Sequence, residues 1–251
     1  MAEVKKQKKF FKKEEKYHRI NSGVPGFDSL IEGGFESESI NLVVGGSGSG
    51  KTIFALQFLL EGVKKGESVL YVTFEEKKSE FYNNMKILGW DLEKLENSGK
   101  FFFLEYSPEK VKVTLEEGGG TIESLVLKNK VKRLVIDSIT SFSFLFEGDF
   151  SKKQANLGLF DIINKWDCTT LLTVQSDPSK KESSQTIDFE VDGIINLYFN
   201  RIGKKRQRVL EILKMRGTNH SKEMHAFEIK KGGITVKKGA VKKAIKLLWE
   251  F

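Results

Sequence analysis

The sequence predicts an α/β fold with a mainly parallel central sheet and a C-terminal extension of antiparallel strands. Three observations predict it. Short apolar runs alternate with segments of helical length from residue 40 to residue 175, as in chains whose right-handed crossovers return each strand parallel to the last. A glycine-rich segment, Gly45 to Thr52, joins the first of these runs to the first helical segment. Beyond residue 190 the period changes to long strands around Gly203-Lys204-Lys205 and Gly232-Gly233, which are hairpin signals.

Taken in order, residues 1–19 (MAEVKKQKKFFKKEEKYHR) read as a basic arm, with Phe10, Phe11 and Tyr17 as candidate packing residues. NSGVPGFDSLIEGGF is a turn-rich lead-in containing Pro25 and the Gly33-Gly34 pair. Ile40 to Val44 reads as a buried strand, and the segment from Thr52 as a helix buried through Phe54, Leu56, Phe58, Leu59 and Val63. Ser68 to Glu76 is a second strand, followed by helices near Lys77 to Leu88 and Leu92 to Asn97. Phe101 to Tyr106 reads as a strand, Gly118-Gly119-Gly120 as a loop and TIESLVLKNK as a helix. Lys132 to Thr140 is predicted as a strand, Gln154 to Trp166 as a helix and Thr169 to Gln175 as a strand. The closing VKKAIKLLWEF reads as a short amphipathic helix with Ile245, Leu248 and Trp249 on one face. No internal repeat or long linker intervenes. The expected organisation is an arm over 1–19, one domain over 20–239 and a tail over 240–251.

Composition narrows the classes. Of the 251 residues, 39% are apolar, enough for a substantial core. No run approaches the ~20 apolar residues of a membrane span, and the charged N-terminal stretch lacks the apolar centre of a signal peptide. The single cysteine, Cys168, excludes an internal disulfide. A cytoplasmic protein without membrane contact is expected. The net charge of +8 is concentrated at the ends: residues 1–19 carry +5 and residues 229–251 carry +6, leaving −3 for the body. Such ends can touch nucleic acid or an acidic partner, or can simply be solvated.

The segment Gly45-Gly46-Ser47-Gly48-Ser49-Gly50-Lys51-Thr52 fits G-x-x-x-x-G-K-[ST] without mismatch, between a strand and a helix. A triphosphate needs several donors aimed at one small volume. Successive backbone N–H groups and the positive end of the following helix supply them. Glycines permit the backbone angles and the close approach. Lys51 can reach the β- and γ-phosphates, and the Thr52 hydroxyl can ligate Mg²⁺.

Other residues converge on the same predicted sheet edge. Asp137 ends the apolar run LVID, where a carboxylate can hold Mg²⁺; alone it would equally start a turn with Ser138. Glu75 and Glu76 end VLYVTF, where one carboxylate can orient and deprotonate an attacking water, or both can complement the next helix dipole. Neighbours in a strand point differently, so one of the pair is expected to face the γ-phosphate; Glu75 is favoured but the two are not separated. Gln175 ends LLTVQ, as a phosphate sensor or as a polar cap. Lys214, Arg216 and His220 end LEILKMRGTNH, which by spacing alone is an edge strand with polar decoration.

Together SGVPGFDSLIEGGF, GGSGSGKT, YVTFEE, GWDLEKL, LVIDS and LEILKMRGTNH resemble, in unbroken order from about Ile20 to Gly239, the motifs of KaiC-type ATPases of the RecA superfamily. The resemblance implies a RecA-like P-loop ATPase core in which Gly45 to Thr52 bind ATP phosphates and Thr52 with Asp137 hold Mg²⁺. It makes Glu75 and Glu76 the paired catalytic glutamates. Lys214 and Arg216 become residues reaching across a subunit boundary, with Thr218 and His220 nearby, in a ring of six. The chain has one such domain where the clock protein has two, and it lacks a counterpart of the adjacent Ser-Thr phosphorylation site. Gln175 replaces an acidic residue and looks more like the sensor glutamine of recombinases.

Three functions are therefore weighed. The first is a Mg²⁺-dependent, ring-forming regulatory or signalling ATPase with slow turnover. The second is an ATP-gated nucleic-acid-binding protein, whose loops would carry Lys152-Lys153 and Lys180-Lys181 against Glu147, Asp149, Asp177, Glu182, Asp188, Glu190 and Asp192. The third is a slow ATP-switched scaffold for a protein partner, with the tail around Trp249 as its handle.

Overall fold

The computed structural model of the protein describes residues 18–106, 120–178, 187–202 and 204–240. The arm to Tyr17, Gly118-Gly119, Lys180-Lys181, Glu182, Gly203 and the tail from residue 241 lie outside the described residues. The turn-rich lead-in is framed by two short antiparallel strands, β1 (Arg19–Ile20) and β2 (Phe35–Glu36). Arg19, at the predicted end of the arm, thus belongs to a strand.

The elements that follow are β3 (Ile40–Gly45), α1 (Lys51–Lys64), β4 (Ser68–Thr73), α2 (Lys78–Ile87), α3 (Leu92–Asn97) and β5 (Phe101–Glu105). Then come α4 (Gly120–Asn129), β6 (Val131–Asp137), α5 (Ile139–Ser143), α6 (Asp149–Ile163) and β7 (Thr169–Gln175). Two hairpins close the described chain: β8 (Gly193–Ile202) with β9 (Lys205–Met215), and β10 (His225–Lys230) with β11 (Gly233–Ala240).

These strands form one sheet in the order β11-β10-β9-β8-β3-β7-β6-β4-β5. The part from β8 to β5 is parallel, and β9, β10 and β11 are antiparallel. The predicted fold class is observed, and the alternation of side chains explains why both faces are apolar. Val43, Tyr71, Val135, Leu171 and Ile195 face one core with Phe54, Phe58, Phe81 and Leu92 from α1, α2 and α3. Leu42, Val44, Leu70, Ile136 and Leu172 face the other with Val126, Phe142 and Phe160 from α4, α5 and α6. A parallel sheet covered on both faces buries near-continuous apolar runs.

Several predicted bounds shift, and the strand expected over 68–76 ends at Thr73, leaving Glu75 and Glu76 in the bend that follows. The strand expected over 132–140 ends at Asp137, because Ser138 accepts a hydrogen bond from Ser141 N (3.2 Å) and starts α5, which buries Ile139 and Phe142. The helix expected from Gln154 begins at Asp149, directly after Gly148 at φ 76°. That helix stops at Ile163, so Trp166 packs from the following turn instead.

One polar group is fully buried beneath α1. Arg133 on β6 is 1% exposed and pairs its guanidinium with Glu67. It donates to the carbonyls of Asn21 (2.7 Å) and Phe58 (2.9 Å) and lies 4.8 Å from the centroid of the Phe58 ring. This group ties the lead-in, α1 and the α1–β4 turn to one strand. Removing only the counterion strands a buried charge, which is costlier than removing the charge itself. Glu67→Ala is expected to lower unfolding free energy in urea by about 3 kcal/mol, and Arg133→Met by less. The reverse order would contradict this account.

Candidate functional site

Strand order decides which side chains can meet. Asp137 ends β6 between Thr73 of β4 and the end of β7, and its carboxylate faces α1. Its Oδ2 accepts the Thr52 hydroxyl (2.8 Å) and the Tyr71 hydroxyl (2.8 Å), while Oδ1 accepts the Thr173 hydroxyl. Four elements thus fix one carboxylate at the carboxyl edge of the strands. The Asp137–Ser138 peptide is cis.

The glycine segment lies beside it. Gly48 and Gly50 have φ of 73° and 106°, which side chains with a β-carbon rarely adopt. A β-carbon on Gly45 would fall within 2.6 Å of the Leu197 carbonyl, so this strand end tolerates only glycine. Lys51 Nζ donates to its own loop, at Gly46 O (3.1 Å). Burial pulls the Lys51 amine below its ordinary pKa, while Asp137 and Glu75 act in the opposite sense. Lys51, Thr52, Asp137 and Glu75 are therefore one cluster, as the sequence predicts.

Of the two glutamates, Glu75 makes a contact with this edge: its Oε1 accepts the Ser138 hydroxyl at 3.3 Å. Both backbone N–H groups donate to the Thr73 hydroxyl, which folds the chain back over the strand end. Partial desolvation pushes the Glu76 carboxyl above the usual range, assisted by repulsion from Asp137, Glu75 and Glu80. Gln175 pairs with Gly45 in the β3–β7 register and is exposed; its N–H donates to the Thr140 hydroxyl (2.8 Å).

Lys214, Arg216, Thr218 and His220 are not brought to this cluster. Because β9 runs back along β8, Met215 pairs with Gly193, whereas the end of β3 at Gly45 pairs with Leu197. Four residues of strand, about 13 Å, separate the two ends of the sheet. There Lys214 Nζ donates to the carbonyls of Asp188 (2.8 Å) and Val191 (2.7 Å). Arg216 bonds Phe189 O (2.7 Å) and approaches Asp192 (3.4 Å). Thr218 accepts from Arg19 (2.6 Å), and His220 Nδ1 lies 2.9 Å from Ser221 O.

Three neighbours of the site are absent from the sequence prediction. Tyr71 and Thr173 hold Asp137. Arg208, packed 4.2 Å from the Phe199 ring centroid, donates to Gly48 O through Nε (3.1 Å) and Nη2 (3.0 Å). Their positions depend on strand register, which no local pattern carries.

The residues present fit a phosphate group and a hard cation. Ser49 Oγ is buried without a hydrogen-bond partner among the described residues, and the space a β-carbon would take at Gly46 is open. Hydroxyl and carboxylate oxygens at Thr52 and Asp137 are the donors Mg²⁺ prefers.

A glycine loop between strand and helix, with an acidic residue ending a parallel strand one place removed in the sheet, defines a P-loop protein of RecA-like fold. Residues 20–241 match the family described as ATPase: KaiC, and the chain belongs to that family. It is 32% identical over 232 residues to a UPF0273 protein of Thermotoga maritima, covering 87% of this chain and 95% of that one. It is 34% identical over 236 residues to circadian clock protein KaiC3 of Synechocystis, covering 89% of this chain but only 46% of that longer protein. A KaiC-like protein of Pyrococcus horikoshii OT3 superimposes with a TM-score of 0.80 at 36% identity, over 88% of this chain and 99% of that one.

The acidic crowding gives a pH signature. Glu76 holds its proton more tightly in the folded than in the unfolded chain, so stability falls as pH rises from the ordinary 4.5 through its raised folded value. In nucleotide-free protein, Glu76→Gln is expected to raise Tm at neutral pH. The gain should vanish below pH 4.5, where both side chains are neutral; scanning calorimetry across pH checks this.

Proposed function

We propose that this chain is a Mg²⁺-dependent ATPase whose catalytic site is completed by Lys214 and Arg216 of a second copy, in a ring-forming regulatory protein. The observation that carries the proposal is the separation described above. Lys51, Thr52, Asp137 and Glu75 converge, while the two cations sit at the opposite sheet edge. A cation cannot neutralise charge across that distance within one chain.

In this reading the N–H groups of Gly46 to Lys51 bind the β- and γ-phosphates, and Lys51 exchanges Gly46 O for phosphate oxygen. Thr52 and Asp137 hold the metal, which when bound neutralises phosphate charge and orients the terminal group. Glu75 orients the attacking water and takes its proton; its contact with Ser138 fixes the carboxylate. Glu76 sits beside it, and Gln175 senses the terminal phosphate. Lys214 and Arg216 leave the carbonyls of residues 188–191 to reach a neighbouring loop, with Thr218 and His220 beside them. A ring of six and a switching role are part of the same proposal.

Lys51→Ala is expected to lose ATP affinity by about a hundredfold. The Glu75→Gln, Glu76→Gln double variant should bind ATP yet turn it over at about one hundredth of the normal rate or less. Mixing the two inactive variants Lys51→Ala and Arg216→Ala before assembly decides the shared site. Random mixing in a closed ring leaves about a quarter of interfaces intact, so a corresponding fraction of turnover should return. No recovery in mixed assemblies would rule the shared site out.

A further inference from the structure

The hydroxyl of Tyr71 is the feature of the site for which the proposed chemistry has given no role. Tyr71 lies on β4 and is 1% exposed, with its hydroxyl 2.8 Å from Asp137 Oδ2. Its ring is stacked on Phe103 (centroids 5.4 Å, planes 7° apart) and tilted against Phe81 of α2 (4.7 Å). Apolar packing alone would favour phenylalanine here, since a buried hydroxyl is tolerated only with a partner. The partner is the one carboxylate oxygen that also accepts Thr52.

We infer that Tyr71 is a positioning residue for Mg²⁺ binding, holding the Asp137 carboxylate in the orientation in which Thr52 and the metal can share it. The inference rests on the reading of this site as a Mg²⁺–nucleotide site. Thr173 holds Oδ1 from the neighbouring strand, so its hydroxyl and that of Tyr71 clamp the carboxylate from both sides. Each clamp comes from a rigid strand: β4 and β7 flank β6 directly. Oδ2 accepts two hydroxyls, and only Thr52 belongs to the nucleotide loop. When Thr52 turns its oxygen lone pairs to the metal, Tyr71 keeps Oδ2 from swinging away.

The ring anchors the clamp. Tyr71, Phe103 of β5 and Phe81 of α2 pack as one cluster of three mutually contacting rings, which restrains the Tyr71 side chain. A threonine or serine at this position could not span from β4 to Asp137, and a phenylalanine would span it without a donor. The same aromatic group contains Tyr82, whose hydroxyl instead bonds Glu96 of α3 (3.0 Å). Tyr82 supplies an internal control with the same chemistry and no link to Asp137.

The test compares wild type, Tyr71→Phe and Tyr82→Phe as intact chains, using a fluorescent ATP analogue titrated in EDTA and then with increasing Mg²⁺. Tyr71→Phe keeps the ring and is expected to fold with little change in Tm. Its Mg²⁺-free nucleotide affinity should match wild type, while its half-saturating Mg²⁺ rises on the order of tenfold, as expected for loss of one hydrogen bond to a charged group. Tyr82→Phe should leave both values unchanged. Equal Mg²⁺ dependence in Tyr71→Phe and wild type overturns the positioning role while leaving the nucleotide site intact. Parallel losses with and without Mg²⁺ in Tyr71→Phe identify a merely structural effect and also overturn it. A wild-type protein with no Mg²⁺-dependent binding overturns both this inference and the reading of the site.

Discussion

The Asp137 carboxylate is the point on which the site depends. It sits where three parallel strands end together, and hydroxyls from α1, β4 and β7 all donate to it. An ionised carboxylate at a sheet edge is stable only while such donors replace water. The strand order supplies them: β6 lies between β7 and β4, and α1 crosses the same face. The two apolar cores serve this arrangement. Each strand alternates its side chains between them, and the face that packs on α1 is also the face that presents Tyr71, Asp137 and Thr173.

The second constraint is the antiparallel turn of the sheet at β8–β9. Because β9 retraces β8, the segment ending at Arg216 emerges at the edge away from the glycine loop, while Arg208, eight residues earlier, reaches Gly48. β9 thus carries Arg208, which braces the glycine loop, and Lys214, which with Arg216 just past the strand end is directed elsewhere. Burial pulls the Lys214 amine below its ordinary pKa, and Arg216 adds to the effect. Both cations are held against backbone carbonyls, with Asp192, Asp188 and Glu190 near the Lys214 charge and Asp192 paired with Arg216 (3.4 Å).

Much of this was legible in the sequence, for reasons that differ by residue. The glycine loop is local: its pattern, the strand before it and the helix after it lie within 25 residues. Asp137, Glu75 and Gln175 could be placed at one edge because each ends an apolar run, and parallel runs end together. The hairpins announced themselves through Gly203-Lys204-Lys205 and Gly232-Gly233. What could not be read was register and short local capping. Tyr71 looks like one more apolar residue in SVLYVT until β4 is paired with β6. The five-residue α5 is too short to show a helical period, so in the sequence Ser138 to Thr140 read as a continuation of the preceding strand. Arg208 lies in a run of basic residues, where spacing alone does not distinguish the one aimed at Gly48.

The central claim is that one chain holds half of its catalytic site. It is tested most directly by measuring ATP turnover per chain across a dilution series while recording mass by light scattering at each concentration. A shared site requires turnover per chain to fall towards zero as assemblies dissociate to single chains. Constant turnover per chain in a population shown to be monomeric would contradict it.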